Sequence, residues 1–132
     1  VTFSLSSDDI SLNSLVKSFL PAMSVGCSVI SFTNQNAVLA LKLSEDINNS
    51  DFPSGSLNIL TGNFENIVED VGAHVEIRLA AIYSNISNDL LETLDVKGSD
   101  SVKRIVNLPS DEGLGSIIPF VETKTVWHPK GQ

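Results

Sequence analysis

The fold class this sequence predicts is α/β: three layers around a mostly parallel sheet of about five or six strands. Three observations predict it. Short alternating or β-branched runs recur at VTFSL (1–5), CSVISF (27–32), LNIL (57–60), RLAAIYS (78–84) and VKRIVNL (102–108). Between them lie stretches of roughly 10 to 15 residues whose apolar side chains return at helical spacing, the pattern of βαβ units. Strands joined through helices need crossover connections, and right-handed crossovers between neighbouring strands build a parallel sheet.

The opening VTFSL alternates apolar and polar residues, as a strand does. Ser7, Asp8 and Asp9 supply helix-capping residue types and negative charge, which a helix N-terminus favours. Leu12, Leu15, Val16, Phe19, Leu20 and Met23 then form one apolar stripe. Pro21 falls inside that stripe and removes a backbone donor, so it predicts a kink or an early end; Gly26 reads as the stop. CSVISF is the mark of a buried strand. Val38, Leu39, Leu41, Leu43 and Ile47 predict a second helix, and NNSDFPSGS (48–56) a turn region. LNIL is a strand ended by Thr61 and Gly62. Phe64, Ile67, Val68 and Val71 form a third helical stripe, closed by Gly72. RLAAIYS has small residues at its centre, as a middle strand packed under helices would. SNDLLETL (87–94) is a short helix capped by Ser87 or Asn88. VKRIVNL is a strand, PSDEGLGS (109–116) a loop, and IIPFVETKTVWH (117–128) carries a last strand, best at Thr123–His128 because Pro119 argues against pairing nearer its start.

The chain has 132 residues, 42% hydrophobic and 18% charged. That is one globular domain of ordinary size, with no internal repeat or low-complexity tract. Eight Lys+Arg against sixteen Asp+Glu leave a formal charge of -8. Such a chain lacks the clustered cations that phosphate-backbone binding needs, so nucleic acid is not an expected partner. The one cysteine excludes a disulfide scaffold. No apolar run approaches the roughly 18 residues of a membrane helix, and VTFSLSSDDI lacks the basic start and apolar core of a signal peptide. The expectation is a cytoplasmic protein with no membrane partner. A first residue that is Val and not Met suggests a processed chain or a piece of a longer one.

The residues yield no catalytic set. Cys27, the single thiol, opens a buried strand with no charged neighbour in sequence and reads as structural. His74 and His128 stand at no metal-ligand spacing, so no metal is expected. Gly113-Leu114-Gly115-Ser116 is half of a dinucleotide fingerprint that joins no strand to a helix; a loop is the better reading. The acid pairs Asp8–Asp9, Glu45–Asp46, Glu69–Asp70 and Asp111–Glu112 lie in loops or helix ends and read as solvated surface. Two glycosylation sequons, Asn48-Asn49-Ser50 and Asn85-Ile86-Ser87, mean little without a secretory signal.

Four segments carry a family resemblance. Leu20-Pro21-Ala22-Met23-Ser24-Val25-Gly26-Cys27-Ser28-Val29-Ile30 resembles the "APALAAGNTVV" unit of the aldehyde dehydrogenase cofactor domain. Phe52-Pro53-Ser54-Gly55-Ser56-Leu57-Asn58-Ile59-Leu60-Thr61-Gly62 is similar to "FPPGVVNIVTG", His74-Val75-Glu76-Ile77-Arg78 to "HPDVD", and Ser101-Val102-Lys103-Arg104-Ile105-Val106 to "NLKRVT". They arrive in the family's order across residues 7 to 107. The resemblance implies a Rossmann-like fold, a truncated aldehyde dehydrogenase cofactor domain. The tail Glu122-Thr123-Lys124-Thr125-Val126-Trp127-His128-Pro129-Lys130-Gly131 resembles the close of the tandem, family-16 branch, whose truncated second half is non-catalytic.

The departures from the family pattern fall on its working positions. The family's "LKPSE" lysine and glutamate hold the adenosine ribose; the resemblance puts Phe32 and Gln35 there, and a phenyl ring donates no hydrogen bond. "FTGS" opens the helix that faces the pyrophosphate; here it is Ile82-Tyr83-Ser84-Asn85, so Ser84 and Asn85 stand at degenerate positions and the glycine is missing. The catalytic asparagine falls near Asp9 and the general-base glutamate at Leu108 or within 107–110. The nucleophilic cysteine belongs to a later domain, and Cys27 occupies the asparagine of "AGN". The resemblance with these losses implies no cofactor, no catalytic residue and no enzyme activity: residues 1–132 are expected to form a single degenerate domain, part of a longer protein, with a structural, assembly or protein-interaction role. The alternative is an NAD(P)-binding fragment of an active oxidoreductase whose nucleophile lies elsewhere. Expected partners are other copies, as a homo-oligomer, or the rest of a parent aldehyde dehydrogenase-like chain. The last strand either pairs within its own sheet, burying Trp127, or adds to the sheet edge of another chain.

Overall fold

A computed structural model describes residues 1–108 and 113–128. Its centre is one sheet built from β1 (Thr2–Leu5), β2 (Val29–Thr33), β3 (Leu57–Thr61), β4 (Leu79–Ile82) and β5 (Arg104–Asn107). The order is β3-β2-β1-β4-β5, and every pairing is parallel. β1 is central: Phe3 stands opposite Ile30 on one side and Ala80 on the other. All four of its residues are buried, which is why the strand alternation in VTFSL marks no solvent face.

Among the described residues four α-helices cover the two faces: α1 (Leu12–Ser24), α2 (Ala37–Asn48), α3 (Val68–Ala73) and α4 (Asn88–Gly98). Phe3, Leu5, Phe32, Ala80 and Ile82 pack toward Phe64, Val68, Val71 and Leu94, on the α3–α4 side. Val29, Leu79 and Ala81 pack toward Leu15, Phe19, Ala22 and Ala40, on the α1–α2 side. Beside Leu15, Phe19 and Ala22, the buried Ser18 also takes part in the contact of α1 with the sheet. Ser4 Oγ donates to the Ser18 carbonyl at 2.5 Å, and Ser18 Oγ donates to the Leu15 carbonyl at 2.7 Å. These bonds satisfy hydroxyls that burial would otherwise strand.

Several sequence expectations need correction. The N-cap of α1 is Ser11, whose Oγ accepts from Ser14 N at 3.1 Å; Ser7, Asp8 and Asp9 precede the helix in a loop. Leu12 and Leu20 belong to the expected apolar stripe yet are exposed, while Ser18 and Ala22 take the buried positions. The helix runs through Pro21 to Ser24. Gly72 does not stop α3. It lies inside the helix, where an added Cβ would fall 2.6 Å from Lys97 Cβ, so it lets α3 approach α4. The third stripe is split between a 3-10 turn at Phe64–Asn66 and α3. Ser87, not Asn88, caps α4.

The largest correction is the tail. Residues 121–128 form no strand, and Trp127 is 87% exposed. Pairing of Thr123–His128 within this sheet, with Trp127 buried, is therefore wrong. Strand propensity expresses fit to a pleated, half-buried surface, and residues 121–128, which follow 3-10 turns at Leu114–Ser116 and Ile118–Phe120, pair with no strand of the sheet. The sheet has five strands, the lower of the two expected numbers.

Candidate functional site

In a doubly wound sheet the ligand crevice lies beyond the carboxyl ends of the strands, where the connections diverge to opposite faces. Here that point falls between β1 and β4. The loop after β1 brings Asp8, and the loop after β4 brings Ser84, to the same opening. Ser84 Oγ donates to Asp8 Oδ2 at 2.7 Å. The neighbouring loops are tied by amide side chains. Asn34 Oδ1 accepts from Phe64 N at 3.2 Å, and Asn63 Oδ1 accepts from Glu65 N at 3.1 Å. Asn36 is buried; its backbone N donates to Thr33 Oγ1 at 3.1 Å and its Nδ2 to the Asp9 carbonyl at 2.9 Å. Together the loops border a cleft of about 200 Å³, lined by Asp8, Asn34, Asn63, Glu65, Ser84, Asn85 and Ser87 among others. Two carboxylates face this cleft, and none of its lining residues is a lysine or arginine.

The structure separates the four positions singled out in the sequence. Ser84 and Asn85 line the cleft. Phe32 does not: it is 3% exposed, and its ring packs 6.2 Å from both Phe3 and Phe64, which are themselves 5.9 Å apart. Three phenyl rings in such tilted and offset contact make a cohesive core beneath the crevice. Gln35 is exposed in the β2–α2 loop and stands outside the cleft lining. Of the two positions matched to catalytic groups, Asp9 uses its carboxylate to accept from Ser11 Oγ at 2.9 Å. Leu108 is buried, and its N donates to the Ile82 carbonyl at 2.9 Å.

Cys27 lies at the other end of the sheet, half-buried, with Sγ 3.8 Å from the Phe120 carbonyl. His74 Nδ1 accepts from Glu76 N at 3.3 Å, a local turn contact. His128 is exposed in the tail. Lys103 Nζ donates to the His74 carbonyl at 2.8 Å and to the Ile77 carbonyl, and partial burial lowers its pKa. Gly113 to Ser116 form a 3-10 turn apart from any strand end, while Asp111 and Glu112 lie outside the described residues. Among the described residues no three His, Cys, Asp or Glu side chains gather as metal ligands, and no helix is long and apolar enough to cross a membrane. Tyr83 follows β4; burial pushes its phenol up to about 12, and its hydroxyl finds no partner.

Sequence reasoning took Asp8 as solvated surface and missed its bond to Ser84. A signal existed: Leu5 and Ile82 are register partners, so the first residues beyond each emerge side by side. Reading it required knowing that β1 and β4 are neighbours.

No family model and no curated protein matches this chain. Solved structures do. A point variant of the betaine aldehyde dehydrogenase of Staphylococcus aureus, in complex with NAD+, superimposes with a TM-score of 0.68 at 17% identity over 82% of this chain. The fold is that of an aldehyde dehydrogenase cofactor domain, truncated. An aldehyde dehydrogenase from Bartonella henselae matches with a TM-score of 0.61 at 22% identity over 76% of this chain. The chain spans 22% of the length of the first of these enzymes and 21% of the second. The aldehyde dehydrogenase-like fold implied by the four sequence segments is thus present, with a five-stranded, all-parallel sheet.

Proposed function

We propose that this chain is a non-catalytic aldehyde dehydrogenase-like domain, one unit of a longer protein, that serves structure, assembly or protein interaction. The observation that carries the reading is Phe32. A lysine can hold ribose hydroxyls only if its amine reaches the crevice, and here the corresponding ring is committed to the Phe3–Phe64 core. The cleft chemistry supports it further. Asp8 and Glu65 put negative charge where a dinucleotide would bring its own, and like charges in a shared cleft repel.

The competing reading, an NAD(P)-binding fragment of an active oxidoreductase, draws on the NAD+ bound to the S. aureus enzyme. Calorimetric titration of the folded chain with NAD+ and with NADP+ separates the two. Non-catalytic function predicts no binding up to millimolar nucleotide; micromolar affinity for either would establish the competing reading.

A further inference from the structure

The amino ends of the strands carry a second opening, remote from the crevice. Its volume is about 410 Å³, within the roughly 300–1,000 Å³ of small-molecule pockets. The chain has two arginines, Arg78 and Arg104, and both line this opening. Their placement follows from the sheet. Arg104 begins β5 opposite Leu79, and its backbone N donates to the Arg78 carbonyl at 3.1 Å. Arg78 immediately precedes β4, so the two residues meet at the amino ends of adjacent strands, which lie about 4.8 Å apart in a sheet.

Among the described residues no carboxylate lies within ion-pairing distance of either guanidinium. Lys97 pairs with Glu69 at 2.9 Å on the far helices. Glu122 also borders the opening but lies beyond ion-pairing distance of both arginines. Phe120, buried, and Cys27, half-buried, also line it and give it an apolar part. In a chain of net charge -8, both arginines stand exposed at one concavity, where an anion can meet them. A planar guanidinium fork matches the paired oxygens of carboxylate or phosphate.

We propose that this cleft binds a small anion through carboxylate or phosphate oxygens, held between Arg78 and Arg104. The site does not depend on the crevice or on any aldehyde chemistry. Amide NMR of the folded, isotopically labelled chain tests it. Inorganic phosphate and succinate are titrated separately at constant ionic strength. The expected result is saturable shifts at Ser28, Leu79 and Arg104, with affinity weakened at least tenfold by either Arg78→Gln or Arg104→Gln and unchanged by Lys97→Gln. Saturation by either probe upholds the site, and the probe that binds names the anion class. Shifts that never saturate with either probe, or arginine variants that bind like the parent, overturn it; so does an equal loss in Lys97→Gln, which would mean bulk charge and not a site.

Discussion

At the carboxyl ends of the strands, Asp8 and Ser84 are bonded to each other above three packed phenyl rings. At the amino ends, Arg78 and Arg104 border an open cleft with no carboxylate within pairing distance among the described residues. The first region uses its distinctive residues on one another. The second leaves its charges unspent. A dinucleotide crevice needs the opposite arrangement at the carboxyl end: donors free to meet ribose and phosphate, and little negative charge. The contrast teaches that conservation of a backbone layout says little about which end of a sheet is available for ligands.

The comparison can be broken at its strongest point. Replacing Phe32 with lysine, alone or with Gln35→Glu, restores the family's side chains but puts an ammonium among Phe3 and Phe64. Losing the ring and stranding a charge is expected to cost about 3 kcal/mol or more. Urea denaturation should show that loss, with no gain of NAD+ binding; a stable variant that binds nucleotide would mean the crevice needed only two side chains.

A smaller effect sharpens the picture of the carboxyl end. Tyr83 is the single tyrosine, so its ultraviolet titration reports one group. Its phenol is raised from 10.0 to about 12 by burial. Above pH 10 the unfolded chain releases this proton while the folded chain keeps it, so stability falls from pH 10 toward 12. Tyr83→Phe should remove that part of the alkaline loss. Titration of the folded chain at 10 would show the phenol to be solvated.

The smallest effect belongs to the amino end. Arg78→Gln and Arg104→Gln remove exposed, unpaired charges, and each is expected to shift stability by no more than about 0.5 kcal/mol. Chemical denaturation measures it. A loss of about 2 kcal/mol would mean the arginines are structural, contrary to the contrast drawn here.

Much of the sheet was legible in the sequence, because β1, β2, β4 and β5 are covered on both faces or flanked by clear helical stripes. What was not legible depended on partners distant in sequence. VETKTVWH has strand-forming residues but no neighbouring strand. Gly72 looked like a helix stop until α4 came to lie against it. Ser7, Asp8 and Asp9 are all capping types, yet Asp8 is taken by Ser84, 76 residues away. In α1, hydrophobicity favoured Leu12 and Leu20, whereas close approach to the sheet selected Ser18 and Ala22. The resemblance set Phe32 against the family's ribose-holding lysine, but the phenyl cluster that takes up its ring needed Phe3 and Phe64 to be placed in space.

The proposed function requires a carboxyl-end crevice that does not accept a dinucleotide. Amide NMR of the chain with added NAD+ tests it at the residues concerned. Ser84, Asn85 and Ser87 are expected to keep their chemical shifts to millimolar NAD+; saturable shifts at these amides would show that the crevice binds a dinucleotide.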